Sequence, residues 1–472
     1  TSHPPMRLRS LCTALVVLAC RKPAPSVAPP RDAAPPRAPA DAPRPVADAS
    51  QPPEAPRVVP RLTPPPGVVR PDAGVRRRTT AARAAPVNVG DPWALTTSPA
   101  GALWVRAVNR PGQRASDIVA TVMGHDGAAI GEPRLVRRTT GPVVSVSVDA
   151  VGPHVWIAWH TVRAPADSPN EEHIVAALHG DADLGEVGAP VTLATFSRQQ
   201  SLGDDIPYVW PGAMARVFVR DDGGGLVVST GPRATCVHGE EEHSERVPCE
   251  GWNVSRVELN GDKRVHAESV ICAVGLPGGF VRVPGGIAYS IQDDHIASKI
   301  LTFTESLGAA PEVTLPSGCE AWRYGGASMA WGDGAFALNA AFAENLDGQT
   351  VATRGVCVRA PTANTTNGRD AFGGELMPEL RTSPLRCVDG HPVVRVRWRG
   401  GPANGVVFDP THPGTSIDLA AWADLHDLPL PAGVTEAPSA LVWAGAALVG
   451  VTQGALTRWR CAPNGALRLV AP

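Results

Sequence analysis

The sequence predicts an all-β protein: a seven-bladed β-propeller of four-stranded antiparallel blades behind a disordered Pro/Ala-rich tether. Three observations predict it. Short runs rich in Val, Ala, Thr and Trp alternate apolar with polar residues, as in ALWVRAV (Ala102–Val108) and VSVSVDA (Val144–Ala150), the period-2 pattern of half-buried strands. Turn residues punctuate these runs at short intervals. The same hairpin is also written more than once: DIVATVMGHDGAAIGEPRLV (Asp117–Val136) is echoed by HIVAALHGDADLGEVGAPVTL (His173–Leu193).

Bulk composition allows a core. The chain has 472 residues, of which 43% are hydrophobic and only 19% charged, with a formal net charge of -2. Nothing in that balance points to nucleic acid, and no nucleic-acid partner is expected. Lysine occurs only at Lys22, Lys263 and Lys299 while arginine is abundant, a bias of coding rather than of function.

The first segment, 1–20, reads as an address. Arg7 and Arg9 precede an apolar run, Leu11 to Ala19, that ends at Cys20. A basic n-region, a short h-region and a small residue before the cut make a secretory signal, and the run is too short to span a bilayer as a stable helix. VVLAC (Val16–Cys20) resembles the bacterial lipobox. The resemblance implies cleavage before Cys20, lipidation of its sulfur and acylation of the new amine, and two or more acyl chains give a stable membrane anchor. The expected location is therefore the bacterial cell envelope, with the outer membrane or surface favoured over the cytoplasm.

Residues 21–86 are Pro- and Ala-rich with scattered Arg and carry a charge of roughly +7. Without apolar periodicity this tract cannot bury a core, and it reads as a disordered linker of polyproline II character. At about 3 Å per residue it reaches at most about 200 Å, enough to hold a domain away from a membrane. Arg76, Arg77 and Arg78 form its densest charge cluster.

Residues 87–472 carry the repeat. The first copy is WALTTS, ALWVRAV and the DIVATV hairpin; the second is VSVSVDA, VWIAWH and the HIVAAL hairpin. ARVFVRDDGGGLVVST (Ala215–Thr230) and NVSRVELNGDKRVHAESV (Asn253–Val270) make a third. GFVRVPGGIAYSIQ (Gly279–Gln292) and KILTFTESLGAAPEVTL (Lys299–Leu315) make a fourth. SMAWGDGAFALNAAF (Ser328–Phe342) begins a fifth. PLRCVDGHPVVRVRW (Pro384–Trp398), followed by GVVFDPTHPGTSIDL, makes a sixth. SALVWAGAALVGVT (Ser439–Thr452) and ALTRWRCAPNGALRLV close a seventh. A four-stranded meander alone exposes both faces; set radially, such units bury them against their neighbours.

AWGDGAFAL (Ala330–Leu338), VWAGAALVG (Val442–Gly450) and LHGDADLGE (Leu178–Glu186) resemble the degenerate blade motifs of bacterial lipoprotein and secreted propellers, a mostly uncharacterised set. The resemblance implies the fold and no catalytic residues. The Ser-x-Asp-x-Gly-x-Thr-Trp box of sialidases and a regular Trp-Asp blade ending are absent from the sequence.

Turns between first and second strands, and between third and fourth, are short. The long insertions fall between second and third strands, as in the loop read over 231–251, or between copies, and in a propeller both classes emerge on one face. Insertions gathered on one face mark a binding surface. That face carries Tyr208, Trp210, Trp322, Arg323 and Tyr324, together with Asp293, Asp294 and His295; Glu171, Glu172 and His173 belong to it too. Aromatics beside charges suit protein or glycan contacts, although a single such residue is more often packed or solvated.

No metal or cofactor is expected. CVHGEEEHSERVPC (Cys236–Cys249) contains donor types that would enclose Zn²⁺, but its spacing matches no common zinc module, and a Cys236–Cys249 disulfide in an oxidising compartment is the simpler reading. Cys272 with Cys319 is a second candidate pair. Cys357, Cys387 and Cys461 cannot all pair within one chain, and connectivity is not readable from sequence. Asp181, Asp183 and Glu186 suggest a calcium loop but lack the later ligands, so a hairpin turn reads better. No Gly-x-Ser-x-Gly, P-loop or His-Glu-x-x-His motif is present. The leading expectation is a lipid-anchored envelope protein that binds an envelope protein or glycan through its loop-rich face. An envelope hydrolase or lyase acting on polysaccharide or peptide is the alternative, and a structural subunit of an envelope assembly is a third reading.

Overall fold

The computed structural model describes residues 77–78, 80–81, 91–109, 115–163, 170–199, 214–238, 245–267, 280–292, 298–307, 313–314, 328–332, 335–346, 349–359, 381–382, 384–397, 406–412 and 414–470. Residues 73–237 with 246–472 form one compact unit. Among the described residues it holds seven antiparallel sheets in sequence order, the blades of a β-propeller.

The first sheet comprises Trp93–Ser98, Gly101–Asn109, Ser116–Met123 and Arg134–Arg138. The second is Val143–Val151, His154–Arg163, Asn170–Asp181 and a bulged fourth strand, Glu186–Val187 and Val191–Gln199. Ala215–Val219, Gly225–His238, Glu245–Val257 and Lys263–Ala267 make the third. The fourth contains Phe280–Val283, Gly286–Gln292, Ser298–Thr304 and Val313–Thr314. The seventh is Ala440–Trp443, Leu448–Thr452, Ala455–Cys461 and Leu467–Leu469. These five match the copies expected from the sequence.

Alternation along each strand divides its side chains between two cores. In the first sheet Leu103 and Val105 pack against Val146, Ile157 and Leu178 of the second, while Ala102 and Trp104 pack against Val449 and Val451 of the seventh. In the second sheet Ile157 faces back, and Trp156 and Ala158 face forward onto Val217 and Val227 of the third. Leu226 and Val228 then meet Phe280 and Ile287 of the fourth. Each large aliphatic side chain so buried stabilises the ring by roughly 2 kcal/mol.

The seventh sheet meets the first without exchanging strands. Their junction is side-chain packing reinforced at one end, where Ala446 N donates to His125 O at 2.9 Å and His125 Nδ1 lies 2.9 Å from Ala444 O.

Three features differ from the sequence expectation. Arg77–Arg78 pairs with Glu186–Val187, and Thr80–Ala81 pairs with Leu135 and Arg134, so the end of the 21–86 tract adds edge strands to the second and first sheets. The stretch 231–251, read as a loop, belongs mostly to Gly225–His238 and Glu245–Val257. Among the described residues the sixth copy departs from the four-strand plan. Its sheet holds Arg381–Thr382, Arg386–Val388, His391–Arg397 and Val406–Phe408. GVVFDPTHPGTSIDL supplies only that last strand. Pro410 and Pro413 remove donors that a continuing strand needs, and Asp409 turns the chain by accepting from Thr411 N at 2.8 Å.

Ser416–Ile417 then crosses to the fifth sheet, where it pairs with the free edge of Ser328–Gly332 in the register Trp331↔Ser416 and Ala330↔Ile417. The fifth sheet is completed by Ala335–Leu346 and Gln349–Arg359. A single helical turn, Leu419–Trp422, follows, capped by Asp418, whose side chain accepts from Ala420 N at 3.0 Å. Leu419 and Trp422 are fully buried beside Leu441 and Trp459. A disulfide, Cys387–Cys461, ties the sixth sheet to the seventh. It takes two of the three cysteines whose pairing the sequence left open.

Candidate functional site: the inner strands and the loop-rich end

The first strand of most sheets lies at the inner edge; in the fifth, Ser416–Ile417 adds a further strand on that side of Ser328–Gly332. Neighbouring first strands lie side by side, as with Trp93–Ser98 and Val143–Val151, Val143–Val151 and Ala215–Val219, and Phe280–Val283 and Ser328–Gly332. Each begins after a connection from the preceding sheet and ends in a tight turn. One end of the ring therefore carries turns such as Gly152–Pro153 and Pro284–Gly285, and the other receives the connections 200–214, 268–279 and 315–327.

At that second end two strand pairs outrun their sheets. In the third sheet the first strand stops pairing at Ala215↔Ser229, while the second strand continues to His238. In the fifth, pairing with the first strand begins at Ser328↔Asn339, yet the ladder continues from Ala340↔Gly355 to Leu346↔Gln349. At about 3.3 Å per residue the extra lengths are on the order of 20–30 Å.

Polar side chains from four stretches of sequence link the inner strands. Ser145 and Ser147 accept from Ala215 N and Val217 N, each at 3.1 Å, and Asp149 accepts from Val219 N at 2.7 Å. These bonds satisfy donors on the open edge of Ala215–Val219. Asp149 also receives the Arg282 guanidinium in an ion pair, and Arg282 N donates to Ser416 Oγ at 3.2 Å. Asp149 and Arg282 sit close to the tight turns that end their strands, so this layer closes the plain end. Desolvation pushes the Asp149 carboxyl up, opposed by Arg282 and by the amide of Val219.

A second layer lies toward the loop-rich end. Arg216, the second residue of its strand, is within electrostatic reach of Asp418 of the crossing segment. The alternation that buries Ala215, Val217 and Val219 turns Arg216 and Phe218 the other way. Burial pushes the Arg216 guanidinium down, with Asp418 opposing; burial pushes the Asp418 carboxyl up, with Arg216 opposing. Both side chains are nevertheless solvent-exposed.

No protein-family model matches the chain, and no curated protein matches it. Among solved structures it is similar to the BP39L lectin from Burkholderia pseudomallei, at 12% identity and a TM-score of 0.38 over 81% of this chain and 99% of that one. It is also similar to a xylan β-1,4-xylosidase from Bacillus halodurans, at 11% identity and a TM-score of 0.30 over 82% of this chain and 91% of that one. A Trypanosoma rangeli sialidase is matched at 8% identity and a TM-score of 0.30, over 80% of each chain. Scores this low carry no conclusion about ligand or chemistry.

Of the residues singled out in the sequence, Tyr208, Trp210, Trp322, Arg323, Tyr324, Asp293, Asp294 and His295 lie outside the described residues, as do Cys20, Cys272 and Cys319. Cys236 and Cys249 fall in the strands Gly225–His238 and Glu245–Val257, but their side chains are likewise outside the described set. Glu171, Glu172 and His173 are described, and they divide. Glu172 forms an exposed ion pair with Arg163. His173 is buried: its Nδ1 lies 3.0 Å from His160 Nε2, its Nε2 lies 3.3 Å from Glu171, and Phe196 stacks on its ring at 4.8 Å. It is an internal residue, not part of an exposed face. A second histidine pair, His154 Nδ1 and His179 Nε2 at 3.1 Å, lies at the plain end of the same two strands. Asp181 and Asp183 form the expected hairpin turn, in which Leu184 N donates to Asp181 O at 3.0 Å and Glu186 N to Asp181 Oδ1 at 3.1 Å. Among the described residues no group of three His, Cys, Asp or Glu is placed to hold a metal.

Proposed function

We propose that this chain is a lipid-anchored cell-envelope protein whose propeller is a binding module, engaging a protein or glycan partner through the loop-rich end of the ring. The observation that carries the reading is the asymmetry of the two ends. One end is closed by tight turns, and the other projects the paired strands Ala340–Leu346 and Gln349–Gly355 and the extension of Gly225–His238. Projecting ladders held by a rigid ring present a large surface that loses little entropy on binding. The anchor at Cys20 and the tether 21–86 place that surface away from the membrane in this reading.

The test uses the full chain with its leader, crosslinked in envelope preparations. Shortening the fifth-sheet ladder, by joining Asn339 to Val356 through a two-residue turn, is expected to abolish a specific crosslink while the thermal melt of the ring is retained. An unchanged crosslink would move the partner surface off this end. Cys20→Ser, followed by metabolic labelling with a fatty-acid probe, tests the anchor separately; label that persists on the variant would sink it.

A further inference from the structure

We propose that a cavity between the sixth and seventh sheets is a recognition pocket for one cationic side chain, arginine or lysine, of a partner polypeptide. This goes beyond the loop-rich reading above. The site lies beside the tight turns Asp389–Gly390 and Asn464–Gly465, which belong to the class that closes the other end of the ring.

The first ground is an interrupted ladder. Pro384 and Asp424 form a parallel bridge, in which Leu385 N donates to Asp424 O at 3.2 Å. The next bond of a parallel ladder would run from His426 N to Leu385 O. Instead His426 N donates to Asp424 Oδ1 at 3.0 Å, and Cys387 N, the donor after that, goes to Gly465 O at 3.0 Å. Leu385 O is left without a hydrogen-bond partner among the described residues, although Leu385 is buried. A carbonyl in that position calls for a donor.

The second ground is the space at the break. The two segments part around a cavity of about 270 Å³. That is below the roughly 300 Å³ at which sites for whole small molecules begin, and it suits a single side chain. The buried residues Leu385, Leu428 and Leu467 give it an apolar floor. The Cys387–Cys461 disulfide and the Cys387 N–Gly465 O bond hold its walls together, and a pre-formed pocket loses little entropy on binding.

The third ground is charge. Asp424 and Asp427 line the cavity against a single Arg386, and Asp427 makes no ion pair among the described residues. Two carboxylates and a carbonyl repel an anion. A metal ion wants oxygen or water on every side, which the leucine floor denies it. A lysine or arginine side chain has an apolar stem and a charged head. The stem covers the leucines while its N–H groups reach Leu385 O and the carboxylates.

The experiment is a ligand-observed NMR titration of the full chain with two blocked tripeptides, acetyl-Gly-Arg-Gly-amide and acetyl-Gly-Lys-Gly-amide, with the norleucine analogue, and with calcium chloride. The cationic peptides are expected to bind with Kd on the order of 1 mM. The norleucine peptide should bind at least about tenfold more weakly, the scale of a hydrogen bond to a charged group. Asp427→Asn removes a charge and Ala466→Met fills the cavity, and each is expected to weaken the cationic peptides about tenfold. Both residues are exposed, so both variants should melt like wild type; if one does not, the other still decides. Shortening the fifth-sheet ladder should leave peptide binding unchanged, which separates this pocket from the loop-rich surface. No binding of either cationic peptide up to about 10 mM, equal binding of the norleucine peptide, calcium binding lost with Asp427→Asn, or both variants binding as wild type would overturn the assignment. Binding that appears only after the arginines of 21–86 are replaced by glutamine would give the pocket to the chain's own tether and overturn the partner.

Discussion

His160 Nε2 and His173 Nδ1 share a hydrogen bond of 3.0 Å between two buried rings, at the loop-rich end of the second sheet. His160 Nδ1 faces Met214 O at 3.4 Å and Thr230 Oγ1 at 3.5 Å on the third sheet, and His173 Nε2 faces Glu171. Phe196 packs against both rings. The pair thus ties two strands of the second sheet together, and His160 Nδ1 carries the contact on to the third.

Its pH dependence follows. Burial, with His173 nearby, lowers the His160 pKa from 6.5 to about 4, against the backbone carbonyl of Met214. The unfolded chain therefore binds more protons than the fold between those values. The stabilisation is fully present above about pH 6.5 and is lost as pH falls toward 4, by about 3 kcal/mol in total. Asp149 and Asp418, whose carboxyls are raised, act in the opposite sense. The measurement is therefore the difference in urea stability between wild type and His160→Gln from pH 7.5 to 4.5. A difference that does not change across that range would refute the linkage.

Reducing the Cys387–Cys461 disulfide should loosen the sixth sheet. The bridge spans 74 residues, and closing a loop of that size restricts the unfolded chain by about 4 kcal/mol on the entropic account. A Cys387→Ser/Cys461→Ser variant is expected to lose about 2–4 kcal/mol of stability. Hydrogen exchange should show the gain in opening concentrated in 384–397 and 440–469. Loss spread evenly over the ring would contradict this.

Gly223→Ala should be disproportionately costly for a turn position. Gly223 has φ +84, and an added Cβ would lie 2.5 Å from the His154 ring. Its carbonyl also accepts from Trp156 Nε1 at 2.8 Å. Strain and steric displacement together are expected to cost about 2 kcal/mol or more. Gly285→Ala, at φ +72 with open space around it, carries the backbone strain alone and should cost less. Equal losses in the two variants would mean that the His154 contact contributes nothing.

Asp149→Ala removes the acceptor shared by Val219 N and Arg282. It leaves a guanidinium without its partner among the inner strands, at a cost of about 2 kcal/mol after allowing for partial solvent access. The double variant with Arg282→Ala should recover part of that loss, because the uncompensated charge goes with it. A double-mutant cycle with no coupling would show that the pair is fully screened.

The blades were legible because each is local. VSVSVDA names its strand by alternation, and its turn follows within a few residues, so the first, second, third, fourth and seventh copies could be bounded from sequence. The sixth could not. DPTHPGTSIDL has no periodicity of its own, and Ser416–Ile417 forms a strand only because the edge of Ser328–Gly332 is there to pair with. The 231–251 stretch was misread as a loop because turn-forming residues hid a long ladder. The charged pairs of the inner strands were missed altogether. Arg216 sits in ARVFV as one polar residue in an alternating run, and nothing local distinguishes it from a surface arginine.

The sequence by itself determined the all-β class, the number of sheets and which end of the ring carries the long connections. All three follow from short-range alternation and spacing, which act within one hairpin. Only the tertiary structure decided that Arg282 reaches Asp149 across 133 residues and Ser416 across 134, that Cys387 pairs with Cys461, and that Arg216 comes within electrostatic reach of Asp418. Those juxtapositions depend on the angle at which sheets close into a ring. That angle is set by the packing of both faces of every blade at once, and no single stretch of chain encodes it.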